Sequence, residues 1–125
     1  MSQRILIADD EAHIRVLMEQ TLEDLEDEGV ELLLASDGQE ALDLIRSESP
    51  DLAFLDVMMP KMNGFDVCST VKTDPEMQKT YIIILTAKGQ EFDLQRGTEV
   101  GADLYMTKPF DPDVIYDKAV EILHR

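Results

Sequence analysis

The sequence holds a single cysteine, Cys68, which excludes a disulfide framework and any cysteine-based metal site. Basic residues are scarce: 11 Lys and Arg stand against 27 Asp and Glu, for a formal net charge of −16. Phosphate backbones repel such a surface, so direct binding to nucleic acid or to an anionic membrane is not expected. Long apolar runs and a basic-then-apolar leader pattern are both missing, which predicts a soluble, cytoplasmic domain without membrane contact. No linker, repeat or low-complexity tract interrupts the 125 residues, a length that suits one domain with one core. The densest acidic stretch, Glu23-Asp24-Leu25-Glu26-Asp27-Glu28, reads as a solvated helix face.

What is present is an alternation of short apolar runs with helical patterns. Strands are expected at 4–8, 31–35, 51–55, 81–85 and 103–106, and helices at 11–28, 38–48, 63–72, 89–99 and 112–123. The first helix has the clearest stripe, formed by Ile14, Leu17, Met18, Thr21, Leu22 and Leu25. The last opens on Asp111 as cap and Pro112 in its first turn. The helix at 89–99 is the weakest, because Phe92, Leu94 and Val100 make no clean stripe and Gly97 lowers its stability. Five βα units with right-handed crossovers predict an α/β fold of the flavodoxin-like class, a doubly wound five-stranded parallel sheet with five helices.

Chemistry is concentrated where the strands end. Leu52-Ala53-Phe54-Leu55 runs into Asp56, followed by Met58-Met59-Pro60 and Asn63-Gly64, while Arg4-Ile5-Leu6-Ile7-Ala8 runs into Asp9-Asp10-Glu11. In an open parallel sheet both strand ends share one rim, where ligands bind and where these carboxylates repel one another unless a cation intervenes. A flavin phosphate would be repelled by Asp9-Asp10-Glu11, and a dinucleotide would need a glycine-rich turn that is absent. A phosphatase working through an aspartyl-phosphate usually has its two aspartates separated by one residue, whereas here they are adjacent. The rim fits a hard cation such as magnesium, which takes oxygen ligands and bridges carboxylates to phosphate. Thr86-Ala87 and Lys108-Pro109-Phe110 end two further strands and bring a hydroxyl and an ammonium to the same rim. Both suit a carboxylate that gains a phosphoryl group, a transfer governed by positioning and charge neutralisation.

Taken together, Asp9-Asp10, Asp56 with Pro60 and Gly64, Leu85-Thr86-Ala87, Gly101-Ala102-Asp103 and Lys108-Pro109-Phe110 occur in order, with 46 positions from Asp10 to Asp56, 30 to Thr86 and 22 to Lys108. In this set the chain resembles, over essentially its whole length, the receiver domains of two-component response regulators. The resemblance implies Asp56 as phospho-acceptor from a sensor histidine kinase or a histidine phosphotransfer protein. It implies Mg2+ held by Asp10, Asp56 and the Met58 backbone carbonyl, with Asp9 acting mainly through water. It further implies Thr86, the Ala87 backbone and Lys108 as phosphate contacts, Thr86 and Tyr105 as switch residues, and Pro109, after a cis peptide bond, and Gly64 as structural.

The implied function is a phosphorylation-dependent switch that changes its partner-binding face toward a downstream protein target. The alternatives are a phosphotransfer intermediate in a multistep phosphorelay and a degenerate interaction module. Any enzymatic activity would be limited to its own phosphorylation and dephosphorylation. Regulators with a winged-helix output often carry a second Asp at the position of Leu104 and basic residues in the last helix, where this chain has only Lys118. Their dimer face is therefore not expected, and with the sequence ending at Arg125 a single-domain receiver is. Phe92 and Leu94 stand where such regulators commonly carry charge, and read as helix packing ahead of a partner surface. His13 and His124 read as solvated surface, Cys68 as packed with Phe65, and Met58 and Met59 as loop packing.

Overall fold

The computed structural model describes residues 3–87, 101–108 and 111–124. Strands β1 (Arg4–Ala8), β2 (Glu31–Ala35), β3 (Leu52–Asp56), β4 (Tyr81–Ala87) and β5 (Leu104–Lys108) form one parallel sheet in the order β2-β1-β3-β4-β5. This is the flavodoxin-like order, whose switch in direction between β1 and β3 opens a crevice at the strands' carboxyl ends. The helices are α1 (Ala12–Thr21), α2 (Glu23–Asp27), α3 (Gly38–Glu48), α4 (Gly64–Thr73) and α5 (Pro112–Leu123). The expected helix at 89–99, with Phe92 and Leu94, lies outside the described residues, as do Pro109 and the bond preceding it. No described helix is long and apolar enough to cross a membrane.

Two apolar layers sandwich the sheet. On one face Leu6, Leu55, Ile82 and Ile84 pack with α3 and α4, including Phe65 and Cys68; on the other Ile5, Ile7, Phe54 and Ile83 pack with α1, α2 and α5. Because both faces are covered, β3 is apolar without alternation, and all five of its residues are buried. Each of its large side chains contributes roughly 2 kcal/mol by leaving water. That rigidity fixes where Asp56 emerges.

Several boundaries differ from expectation for identifiable reasons. The span 11–28 is two helices because Leu22 leaves helical geometry, next to Thr21 whose hydroxyl donates back to the Leu17 carbonyl at 2.8 Å. Such back-bonding bends helices. Met18, Leu22 and Leu25 are buried, while Leu17, expected in the buried stripe, is 41% exposed. The acidic residues of α2 face solvent around the buried Leu25. Strand β3 is shifted by one residue to include Asp56; β4 and β5 run to Ala87 and Lys108, paired Thr86 to Thr107 and Ala87 to Lys108. The ladder therefore carries Thr86 and Lys108 to the rim as strand residues rather than loop residues.

The opposite end of the sheet is tied by charge. Lys72 of α4 places Nζ 2.7 Å from Asp103 Oδ2 and 2.8 Å from the Thr80 carbonyl, and the Ile82 N–H donates to the same Asp103 oxygen at 2.8 Å. This joins α4, β4 and the start of β5, so the Asp of Gly101-Ala102-Asp103 is a structural acceptor. Asp103→Ala takes the counter-charge from Lys72, which keeps only carbonyl acceptors, and the acceptor from the Ile82 amide, and is expected to cost about 2 kcal/mol in urea unfolding. An unchanged unfolding midpoint would contradict this role.

Candidate functional site

Asp9 directly follows β1 and Asp56 closes β3, neighbours in the sheet, so the fold brings their carboxylates together without any loop rearrangement. Asp9 is 1% and Asp56 7% exposed, whereas Asp10 projects outward. Ligand oxygens of Asp9, Asp10 and Asp56 all lie within 4.8 Å of one another. Lys108, at the end of β5, spans the group: its Nζ lies 2.8 Å from Asp9 Oδ2 and 3.1 Å from Asp56 Oδ1. The Glu11 N–H holds the other oxygen of Asp9 at 2.9 Å.

The electrostatics follow from this crowding. Burial pushes the Asp56 carboxyl up to about 6, the Asp9 charge adds to the shift, and Lys108 offsets only part of it. Burial also opposes the Lys108 charge, but its hydrogen bond to Asp9 and the nearby Asp56 outweigh that, and its pKa lies above the ordinary lysine value. Among the described residues one ammonium thus bonds the two buried carboxylates, with a third carboxylate beside them, and these groups carry an excess of negative charge. Three hard oxygen donors at this separation suit a small divalent cation, and Asp10 lies on the solvent side of the group.

The loop from Val57 to Asn63 returns to the rim. The Val57 N–H donates to the Leu85 carbonyl at 3.2 Å and the Gly64 N–H to the Val57 carbonyl at 3.0 Å. A Cβ on Gly64 would run into the Asp56 carbonyl, so only glycine lets α4 start this close to Asp56. Asn63 caps α4 through the Asp66 N–H at 2.9 Å. Met59 packs in the core as expected, but Met58, also expected to pack, is 67% exposed.

Of the other candidates, Thr86 is buried at the end of β4, one position past Leu85, the residue in register with Asp56. Tyr105 pairs in register with Ile84 and sits half-buried against the α3–α4 side of the core. Ala87 closes β4. His13 is exposed, 3.6 Å from Glu11, and His124 is exposed as well. Arg15 escaped the sequence reading: its Nη1 donates to the Asp9 backbone carbonyl at 2.6 Å and so steadies the Asp9-Asp10 turn. A cation early in a helix, where the macrodipole disfavours it, was the available sign.

Residues 5–120 match the family model of the response regulator receiver domain. The whole chain is 44% identical over 125 residues to the Bacillus subtilis (strain 168) alkaline phosphatase synthesis transcriptional regulatory protein PhoP, covering 50% of that protein. A crystal structure of a putative response regulator from Chloroflexus aurantiacus J-10-fl is similar, with TM-score 0.88, 32% identity and full coverage of both chains. So is the BeF3-activated receiver domain of DrrB from Thermotoga maritima, with TM-score 0.84, 29% identity and full coverage of both chains. The chain spans about half the length of the curated relatives it matches.

The raised Asp56 pKa has a signed consequence for stability. Its folded-state value of about 6 lies above the ordinary 3.8, so protonation favours the fold; that contribution is complete below about pH 4 and lost as pH rises through 6. In metal-free protein, Asp56→Asn should therefore gain stability over the parent as pH rises from about 4 to 6.5, by up to about 3 kcal/mol, and plateau above. Urea unfolding at constant ionic strength measures the difference. A gain independent of pH would show that Asp56 is not titrating in this range.

Proposed function

The chain belongs to the response regulator receiver family, and from that premise we propose that it is a phosphorylation-dependent switch with Asp56 as phospho-acceptor. The observation that carries this reading is the Lys108 ammonium set between Asp9 and Asp56 at a buried, over-acidic rim. A carboxylate oxygen of Asp56 attacks phosphorus, the bond from phosphorus to the donor's imidazole nitrogen breaks, and the imidazole takes up a proton as it leaves. Asp56 then carries a phosphoryl group in place of its own charge. Lys108 needs only a small movement to follow that charge onto a phosphoryl oxygen, and the Thr86 hydroxyl and Ala87 backbone amide supply further donors.

Asp10, Asp56 and the Met58 carbonyl would hold Mg2+, with Asp9 acting mainly through water. The ion would supply charge neutralisation for the incoming phosphoryl group. The donor in this reading is the phosphohistidine of a sensor histidine kinase or of a histidine phosphotransfer protein, and the site of action is the cytoplasm. These residues act only on their own phosphorylation state. The transcriptional role in the relatives' names belongs to proteins about twice as long. The receiver's share of such a role is the switch toward a downstream protein target, since a net charge of −16 keeps it off phosphate backbones.

Drawing the Thr86 hydroxyl toward the phosphoryl group vacates volume on the side of β5, where Tyr105 is half-buried. A hydrogen bond to a charged group contributes about 1.5–3 kcal/mol, enough to shift a two-state equilibrium roughly 10- to 150-fold.

Acetyl phosphate with Mg2+ should add one phosphoryl group, seen by mass spectrometry, and Asp56→Ala or a chelator should abolish it. An adduct that survives either change would overturn the assignment. Thr86→Ala should still be phosphorylated, but beryllofluoride should no longer bury Tyr105, as followed by tyrosine NMR. If Tyr105 stays unchanged in the parent while the phosphoryl group passes back to a histidine-containing protein, the chain is a relay intermediate and not a switch.

A further inference from the structure

The two acidic loops are joined by a third segment, the turn from β2 into α3, which no role has yet been given. At one end of it the Ala35 carbonyl accepts the Asp9 N–H at 3.1 Å. At the other, the Gly38 N–H donates to the Pro60 carbonyl at 3.2 Å, in the loop that follows Asp56. Gly38 is buried, and a Cβ built on it would collide with the Met62 carbonyl and Met62 Cβ. The loop is therefore pressed against the first turn of α3 more closely than any side chain would permit. Between these contacts, Asp37 caps α3 through the Glu40 N–H at 2.7 Å and lies 3.6 Å from Lys61 Nζ.

Lys61 itself has φ +69, a left-handed conformation that a residue with a Cβ adopts at a cost of about 1 kcal/mol. Such a conformation persists where its surroundings over-determine it, and here the surroundings are Gly38, Pro60 and Met62. We propose that the turn Ala35–Gly38 is a bracket that sets the spacing between the Asp9-Asp10 and Asp56-Met58 loops, with Gly38 as the positioning residue. This rests on the cation role given to those loops under Proposed function. The bracket keeps carboxylates that repel one another at a fixed separation without touching the ion, and so lowers the ordering cost of binding.

The test is magnesium titration by calorimetry on the metal-free chain, with thermal unfolding in chelator run in parallel on the parent, Gly38→Ala and Lys61→Gly. Gly38→Ala, which must push Met62 away, should weaken magnesium binding by about 10-fold at temperatures far below its melting point. Lys61→Gly removes the conformational cost but frees the backbone; it should bind magnesium about 3-fold more weakly while melting no lower than the parent. Weaker binding without lost stability is not what a merely structural residue produces. If Gly38→Ala does not fold, Lys61→Gly decides alone. Parental affinity in the folded variants overturns the bracket while leaving the site intact; a parent that binds no magnesium overturns the site reading and the bracket together.

Discussion

One ammonium placed between two buried carboxylates is the contact on which the functional end of this molecule depends. Lys108 reaches Asp9 and Asp56 from the far side of β4, so β1, β3 and β5 converge on a single nitrogen atom. Its position requires that β5 extend to its last residue, and this follows from the pairing of Ala87 with Lys108. The arrangement remains short of positive charge. Two carboxylates with oxygens within 4.8 Å repel by at least about 3 kcal/mol at an effective dielectric near 20, before Lys108 offsets part of it. The rim is thereby suited to a divalent ion and then to a phosphoryl group, and in their absence it is a source of strain.

The rest of the fold serves to make that strain tolerable. A strand buried along its whole length fixes Asp56, Gly64 lets α4 begin directly behind it, and Arg15 and the Glu11 amide hold the Asp9 turn. Stability is supplied elsewhere, by two apolar layers and by the Lys72–Asp103 tie at the opposite end of the sheet. A strained site is thus kept apart from the core that stabilises the fold.

Much of this was legible in the sequence because parallel strands leave an unambiguous trace. Apolar runs ending on Asp9, Asp56, Thr86 and Lys108 place four reactive side chains at one edge by topology alone. The order of those residues, and hence the family, was readable for the same reason. What escaped depends on backbone detail that side-chain patterning does not encode. Leu17 fits the buried stripe by spacing, yet α1 buries Met18 and leaves Leu17 and Val16 on its outer side. Met58 and Met59 are chemically alike, and only the path of the loop sends one into the core and the other into solvent. Gly38 opens the helix expected at 38–48, and nothing in the spacing encodes its close approach to Met62. The single reach of Lys108 to both Asp9 and Asp56 is a matter of side-chain geometry rather than spacing.

The central claim is that the acidic rim is held against its own repulsion for the sake of cation and phosphoryl chemistry. Unfolding of Asp10→Asn beside the parent, in chelator and again in saturating magnesium, tests this most directly. The variant should be the more stable of the two in chelator, by about 1 kcal/mol given the exposure of Asp10, and magnesium should no longer stabilise it. A variant that unfolds more easily than the parent in chelator would make Asp10 a structural residue and would contradict the account.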